Sequence, residues 1–285
     1  MDEYHIKAYA KINLGLDVIK RLPNGYHQVK MIMQTVDICD ELFLEKAASG
    51  ITLTTDSGEL PADKSNLIYK AALLMQEKFG LTEGVRIHLK KNIPIAAGMA
   101  GGSADAAAAM KGISRLFGLD ASLRQLTDCG VTIGADVPYC LMGGTALAEG
   151  IGEKLTALPS APHCYILVAK PAISVSTKYV YEHLDAAGLS YHPDIDGMRA
   201  AIEAGSLQGI LSRMGNVLET VTVPAYPIID TLKRRMCELG AANSLMSGSG
   251  PTVFGIFLEH EAAVYAMERL REETSAQQLF VTTPV

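Results

Sequence analysis

Residues 94–110, which read PIAAGMAGGSADAAAAM, join a glycine-rich loop to the start of a helix. Gly98, Gly101 and Gly102 have no side chains, so backbone N–H groups can come close to a bound group. The first N–H groups of a helix have no intrahelical partner, and such a helix start attracts anions such as phosphate. The segment predicts a phosphate site, although a tightly packed helix start capped by Ser103 would also use small residues.

The loop differs from two widespread phosphate-binding loops. It has no GxxxxGK[ST] pattern and contains no lysine, so it is not a Walker A loop. It does not contain GxGxxG either, which disfavours a dinucleotide-binding Rossmann unit.

Hydrophobic spacing around the loop predicts both strands and helices. Residues 5–18 alternate between apolar and polar side chains, as in a strand with one buried face. A helix is expected to begin near Ser103 and to end before Gly118, with its apolar side chains in one stripe. The other predicted strands are 29–39, 41–45, 50–55, 85–90, 164–169, 243–247, 252–258 and 278–283. The other predicted helices are 63–79, 121–129, 177–186, 195–204, 207–213, 227–239 and 260–274.

The order of these elements predicts an α+β fold, because strands and helices do not alternate strictly. Two prolines fall within residues 158–162, and we expect a domain boundary there. The predicted domains are residues 1–160, which carry the glycine-rich loop, and residues 161–285.

The composition of the 285-residue chain excludes several classes of protein. It has 25 Lys and Arg against 31 Asp and Glu, and the net charge of −6 disfavours a protein that coats nucleic acid. The 5 cysteines show no CxxC spacing, which argues against a disulfide framework or a zinc site and fits reduced cytoplasmic thiols. No apolar run approaches the roughly 18 residues of a membrane span, and the charged N-terminus is unlike a signal peptide. We expect a soluble, cytoplasmic protein.

Two further motifs flank the glycine-rich loop. Residues 8–16, AYAKINLGL, place Lys11 and Asn13 on the same face of a strand. Residues 245–254, LMSGSGPTVF, form a second glycine loop that leads into a strand. In this order, the three motifs resemble those of the GHMP kinases, named for galactose, homoserine, mevalonate and phosphomevalonate kinases. The resemblance extends over almost the whole chain.

This resemblance implies an ATP-dependent kinase with two α+β domains. The N-terminal domain would be ribosomal-protein-S5-domain-2-like and the C-terminal domain ferredoxin-like. ATP would donate the phosphoryl group, and Mg²⁺ is implied as a bridge between phosphate oxygens. Asn66 corresponds to a family position near the adenine, with an ordinary helix cap as an equal alternative. The residues that match the family's ATP loop are Pro94, Ile95, Ala96, Ala97, Gly98, Met99, Ala100, Gly101, Gly102, Ser103 and Ala104.

Asp136 and Lys11 are the candidate catalytic residues. An acceptor hydroxyl needs a base close by, and the resemblance assigns this role to Asp136. Taken alone, Asp136 two residues before Pro138 is more typical of a helix N-cap. The resemblance implies that Lys11 orients the carboxylate and offsets charge on the γ-phosphoryl group. The alternative for Lys11 is a solvated surface lysine.

The segment Gly25-Tyr26-His27 narrows the resemblance to a subfamily whose acceptor is a cytidine-diphosphate-linked sugar alcohol. Tyr26 would stack on the cytosine and His27 would read its hydrogen-bonding edge, although the pair also suits a strand start after a tight turn. Tyr181 matches the position that closes the cytosine pocket, and Tyr179 is the competing choice. The other implied substrate contacts are Asn13, Gly248, Ser249 and Gly250.

The ATP loop departs from the common family pattern GAGLGGGSSDAA. Ala96 and Ala100 stand where glycine is commoner, Met99 replaces leucine and Ala104 replaces the second serine. Alanine keeps the loop small, so we expect phosphate binding to survive, with Ser103 as the remaining hydroxyl.

Three alternative functions remain on the sequence alone. They are a GHMP kinase for another small alcohol, a nucleotide-binding regulator without turnover, and an RNA-binding module with the same first-domain fold. The Gly-Tyr-His segment argues against another small alcohol, and the presence of both Lys11 and Asp136 argues against a regulator without turnover. The acidic composition argues against an RNA-binding module. We expect ATP and a small molecule as partners, no nucleic acid and no membrane, and leave the oligomeric state open.

Overall fold

The computed structural model describes residues 2–274 and 276–285. They form two compact units, each built from segments that are separated in the sequence. The described residues of Met1–Ala10, Ile38–Ile95 and Ala100–Met142 form unit 1, and those of Lys11–Asp37, Ala96–Met99 and Gly143–Val285 form unit 2.

Two long neighbouring strands, β1 (Glu3–Arg21) and β2 (His27–Ala47), contribute to both units. A tight turn joins them, in which the N–H of Leu22 donates to the carbonyl of Tyr26 at 2.7 Å. β1 starts with the predicted alternation, but from residue 10 to residue 18 both of its faces are buried. Its polar side chains in that stretch are therefore inside the protein and need partners there.

Unit 1 combines part of a sheet with four helices. β4 (Gly84–Lys90) pairs antiparallel with the C-terminal half of β2 and parallel with β3 (Ile51–Thr55). The helices are α1 (Leu67–Phe79), α2 (Gly101–Leu116), α3 (Leu123–Gly130) and α4 (Val137–Met142). The middle of α2 is a run of buried alanines, and these small side chains let α1 and α4 pack closely against it.

In unit 2, β5 (Thr145–Gly150) pairs antiparallel with the N-terminal half of β2 and with β6 (Lys154–Leu158). β8 (Gly215–Asn216) pairs parallel with β1, which gives the strand order β3–β4–β2–β1–β8. A separate antiparallel sheet contains β7 (Tyr165–Pro171), β9 (Asn243–Met246), β10 (Val253–Phe257) and β11 (Ala276–Thr282), in the order β11–β7–β10–β9. The helices of unit 2 are α5 (Thr177–His183), α6 (Ile195–Glu203), α7 (Leu207–Leu211), α8 (Glu219–Ala225), α9 (Ile228–Glu238) and α10 (His260–Glu273).

The predicted α+β class is confirmed, and most predicted elements are present within a few residues of their expected ends. The predicted break in β2 near residue 40 is wrong. Asp40 lies inside the strand with its carboxylate buried, where it accepts hydrogen bonds from the backbone N–H groups of Asn92 and Ile93. Five short elements were not predicted from periodicity: α4, β5, β6, β8 and α8.

The predicted boundary near residue 160 follows the end of β6 at Leu158. The compact units do not divide at one position there, because β1 and β2 contribute to both units. The domains 1–160 and 161–285 stay a prediction. Among the helices of the described residues, none is both long enough and apolar enough to cross a membrane.

Candidate active site

Residues from all three motifs meet at the carbonyl oxygen of Gly98 in unit 2. The Lys11 ammonium donates to this oxygen at 3.2 Å, and the Ser247 hydroxyl donates to it at 3.0 Å. Gly98 has φ +70°, and a Cβ added there would lie well inside the 3.0 Å that real Cβ atoms keep from other atoms, because the Ser247 carbonyl is in the way. Only glycine fits this position without displacing the motif around it.

Lys11 is buried, with 5% of its surface exposed, so its interpretation as a solvated surface lysine is wrong. Its ammonium also donates to Asn13 Oδ1 at 2.8 Å. Asn13 is fully buried beside it. Both acceptors of Lys11 are neutral, so among the described residues of unit 2 the ammonium has no carboxylate next to it. A buried cation without a counter-ion favours an anionic ligand.

The third motif packs against the same group. Gly248, Ser249 and Gly250 are buried, and Gly248 has φ +57°. A Cβ at Gly248 would lie 3.2 Å from the Gly98 carbonyl and 3.6 Å from Asn13 Oδ1. The Ser249 hydroxyl is hydrogen-bonded to the hydroxyl of Thr177 at 2.8 Å, so it already has a protein partner.

In unit 1, α2 begins where the sequence predicts an anion-binding helix end. The helix begins at Gly101, after Ala100 with φ +56°, and no side chain caps it. The predicted cap at Ser103 is wrong, because Ser103 lies inside the first turn. Gly102 is exposed, which leaves the open N–H groups of this turn accessible. Ala104 is buried, as expected for a small packing residue.

Asp136 immediately precedes α4, and its backbone carbonyl accepts the first helical hydrogen bond, from the N–H of Cys140 at 3.0 Å. It therefore occupies the N-cap position that the alternative interpretation predicted. Its side chain is half-buried, and within the described part of unit 1 its carboxylate makes no hydrogen bond. The turn before it lies next to α2, since a Cβ at Gly134 would be 3.8 Å from Ser103 Oγ. Unit 1 thus places the Asp136 turn beside the open start of α2.

Two aromatic residues of the predicted cytosine pocket, His27 and Tyr181, lie together in unit 2. Tyr26 is 60% exposed, whereas His27 is only 8% exposed. The rings of His27 and Tyr181 have centroids 5.2 Å apart and are tilted by 38°. Tyr179 packs instead on His183, with ring centroids 4.0 Å apart. Of the two competing tyrosines, Tyr181 is the one that the structure brings to His27.

His27 is a buried imidazole with an unused ring nitrogen. Its Nε2 is buried and has no hydrogen-bond partner among the residues the structure describes. Burial lowers the pKa of His27 below its ordinary value, and the positive charge of Arg21 lowers it further. The ring is therefore neutral near pH 7, with one nitrogen available to a ligand.

Asn66 is the N-cap of α1, where its Oδ1 accepts from the N–H of Ile68 at 2.9 Å. Its Nδ2 donates to the carbonyl of Pro61 at 2.8 Å. The helix-cap interpretation is therefore confirmed. Its position near an adenine remains a prediction.

Two groups of buried and half-buried polar residues were not predicted from the sequence. In unit 1, Lys91 forms ion pairs with Asp40 and, at 3.2 Å, with Asp105. Burial raises the pKa of the Asp105 carboxyl well above its ordinary value, against the lowering effect of Lys91. In unit 2, Asn216 and Glu219 bind the backbone of the third motif. These contacts join residues far apart in the chain, and no local spacing predicts them.

Comparison with known proteins supports the same family. A family model described as the GHMP kinases N terminal domain matches residues 66–144, and one described as GHMP kinases C terminal matches residues 198–276. A relative from Lachnospira eligens, named 4-diphosphocytidyl-2-C-methyl-D-erythritol kinase, is 54% identical over 283 residues, which cover 99% of this chain and 98% of the relative.

The chain belongs to the GHMP kinase family. A Bacillus licheniformis relative with the same name is 47% identical over 259 residues, covering 90% of this chain and 89% of the relative. The crystal structure of a 4-(cytidine 5′-diphospho)-2C-methyl-D-erythritol kinase is similar, with a TM-score of 0.85, 32% identity and 99% of both chains covered. Homoserine kinase from Cytophaga hutchinsonii shares the fold, with a TM-score of 0.79, 23% identity and coverage of 99% of this chain and 94% of that one. The predicted ATP-dependent kinase with the two-domain GHMP fold is confirmed, and ATP is its co-substrate.

Proposed function

We propose that this kinase transfers the γ-phosphoryl group of ATP to the 2-hydroxyl of 4-diphosphocytidyl-2-C-methyl-D-erythritol. The products are the 2-phosphate and ADP, in the non-mevalonate route to isoprenoid precursors. The name of the relatives at 45–54% identity supports this substrate. The structural observation that carries the proposal is the buried, unpartnered Nε2 of His27 beside Tyr181, because a kinase for a small alcohol without a base needs no such group.

His27, Tyr181 and Tyr26 supply what a cytosine ring requires. Stacking on aromatic rings stabilises a bound planar base, and Tyr181 and the exposed Tyr26 can provide such rings. The neutral His27 ring can donate or accept at Nε2, depending on its tautomer. An uncharged nitrogen in a buried site distinguishes bases by their hydrogen-bond pattern, because a mismatch leaves polar groups unpaired.

The ATP phosphates bind at residues 94–104, where the open start of α2 presents N–H groups and the positive end of the helix dipole. No group of three or more His, Cys, Asp or Glu side chains in the described ranges could hold a metal ion. This fits Mg²⁺ that is held mainly by phosphate oxygens and water, with the Ser103 hydroxyl as the nearby protein group. When bound, Mg²⁺ would neutralise charge that develops on the phosphate oxygens. Asn66 would lie near the adenine ring of ATP.

Asp136 acts as the base that accepts the proton of the acceptor hydroxyl. Its carboxylate has no partner of its own in the described part of unit 1, and its turn lies beside the start of α2. Lys11 stabilises negative charge on the transferred group, since its buried ammonium has only neutral acceptors in unit 2. Asn13 and residues 248–250 of the second glycine loop position the acceptor alcohol. Phosphoryl transfer depends mainly on such positioning and charge stabilisation.

The test is ADP formation with a panel of acceptors. The panel contains the cytidine diphosphate alcohol, its uridine analogue, mevalonate and homoserine. We expect turnover with the cytidine compound, an efficiency at least about tenfold lower with the uridine analogue, and none with the two small alcohols. His27→Ala should narrow the preference between cytidine and uridine, whereas His183→Ala, which removes an exposed ring next to Tyr179, should leave it unchanged. Equal efficiencies with both bases in the wild type would contradict the proposal.

A further inference from the structure

The segment 215–219 of unit 2 is tied to the strand that carries the catalytic lysine. β8 pairs in parallel with Gly15 and Leu16 of β1. The N–H of Val217 donates to the carbonyl of Leu16 at 3.1 Å, which extends the pairing by one residue. The segment and Lys11 therefore share one rigid strand pair.

The Asn216 side chain binds the backbone of the second glycine loop, which is the third motif. Only 5% of Asn216 is exposed, and its Nδ2 donates to the carbonyls of Met246 and Gly248, both at 2.8 Å. Its Oδ1 accepts from the N–H of Leu218 at 3.0 Å, so the orientation of the amide is set by its own segment. One locked side chain therefore sets where residues 246 and 248 lie relative to β1.

Glu219 also binds the backbone at the start of the same loop. Its Oε1 accepts from the N–H of Met246 at 2.8 Å, and its Oε2 forms an ion pair with Lys233 of α9. Asn216 and Glu219 thus bind both backbone polar groups of Met246. A hydrogen bond to an ionised carboxylate is stronger than one between neutral groups.

The opposite side of the loop contacts the residues at the reacting centre. Ser247 donates to the Gly98 carbonyl, which also accepts from Lys11. Gly248 packs closely against these residues, because a Cβ there would be 3.2 Å from the Gly98 carbonyl and 3.6 Å from Asn13 Oδ1. A shift of Gly248 toward these two oxygens would therefore disturb both acceptors of the Lys11 ammonium.

We infer that Asn216, supported by Glu219, is a positioning residue of the kinase reaction. It acts through loop 247–250, which it holds so that Gly98, Asn13 and Lys11 keep their geometry. A misplacement of about 1 Å at a reacting centre can lower the rate about 100-fold. The choice of acceptor in the test below rests on the proposed function.

The main test compares Asn216→Asp with Asn243→Asp as a matched control. The first change keeps the shape of the side chain but turns an oxygen toward the carbonyls of Met246 and Gly248. Asn243 lies on the neighbouring strand β9 and donates in the same way to a carbonyl at 2.8 Å, but to Leu211, away from the glycine loop. At saturating ATP and acceptor, we expect kcat to fall at least about tenfold in the first variant and less than about twofold in the control. The affinity for CDP should be unchanged in both.

Hydrogen exchange at the backbone amides of residues 247–250 gives a readout that does not need turnover. Exchange should be faster in Asn216→Asp than in Asn243→Asp. Asn216→Ser, a milder change that cannot bridge both carbonyls, serves the same comparison if Asn216→Asp does not fold.

These readouts separate the inference from the proposed function. Wild-type protein without turnover of the cytidine diphosphate alcohol would refute the proposed function, and kcat would then be compared with whichever acceptor the wild type uses. Equal kcat and equal exchange in the Asn216 and Asn243 variants would overturn the inference. Faster exchange without a loss of kcat would overturn it too, because the loop would then have no bearing on the reaction.

Discussion

Substitution of Gly98 by alanine tests the meeting point of the three motifs. The added Cβ meets the Ser247 carbonyl in unit 2, and backbone atoms of this kind cannot swing aside as a flexible side chain can. Forcing an atom into a packed site typically costs about 1–3 kcal/mol. The left-handed φ of +70° adds about 1–2 kcal/mol for a residue with a Cβ. The loss of flexibility in the unfolded chain offsets about 0.4–1 kcal/mol of this. We expect Gly98→Ala to lower the free energy of unfolding by about 1–4.6 kcal/mol.

Gly118→Ala is the matched control for backbone strain. Gly118 has a similar φ of +62°, but apart from Gly118 and its two chain neighbours no described atom lies within 4 Å of the Cβ that alanine would add there. The free energy of unfolding of Gly118→Ala should therefore fall by about 0–1.6 kcal/mol. The difference in this free energy between the two variants measures the cost of the close contact at Gly98.

Urea unfolding followed by circular dichroism gives both free energies, and initial rates of ADP formation give activity. Gly98→Ala should also lower kcat strongly, because a displaced Gly98 carbonyl no longer accepts from Lys11 and Ser247. Gly118→Ala should keep wild-type kcat. Equal stability losses and equal activities in the two variants would refute the packing argument and the role of Gly98 as the meeting point.

Three further predictions concern single side chains. Asp136→Asn should lower kcat by about 10²–10⁴-fold while the dissociation constant of a non-hydrolysable ATP analogue changes little, and undiminished turnover would leave Asp136 as a helix-start residue only. Ala100→Gly should raise the free energy of unfolding by up to about 1.6 kcal/mol, since it relieves the left-handed strain at φ +56°. Ala108→Gly inside α2 should lower the free energy of unfolding by about 1 kcal/mol, and a urea midpoint for Ala100→Gly below that of the wild type would contradict the prediction. Because the pKa of His27 is lowered in the folded protein, the unfolded chain binds a proton more readily as pH falls through the ordinary value of 6.5, and the free energy of unfolding decreases. Urea unfolding at pH 7.5 and about 5.5 should show a smaller decrease of this free energy in His27→Asn than in the wild type. An equal decrease would refute the lowered pKa.

The elements that could be predicted from sequence are those with a strong local period. The alternation at the start of β1 extends over more than two pairs of residues, and the apolar stripe of α2 extends over more than two helical turns. Both elements are present in the structure. The continuous β2 was not predicted, since Asp40 is polar in sequence but is buried among the backbone N–H groups of Asn92 and Ile93. Local periodicity registers the type of a residue, but it cannot register a partner some fifty positions away.

Residue types and spacing predict the three motifs of the candidate site: a strand with a lysine and an asparagine, a glycine loop before a helix, and a second glycine loop, in the order typical of GHMP kinases. Three facts emerge only when the chain packs: Lys11 is buried, Tyr181 rather than Tyr179 meets His27, and Asn216 binds the backbone of the third motif. The Gly98 carbonyl shows the reason, since it binds Lys11 across 87 positions of the chain and Ser247 across 149. Residue types and spacing are local properties of the chain, whereas burial and hydrogen-bond partners arise only when distant segments pack together.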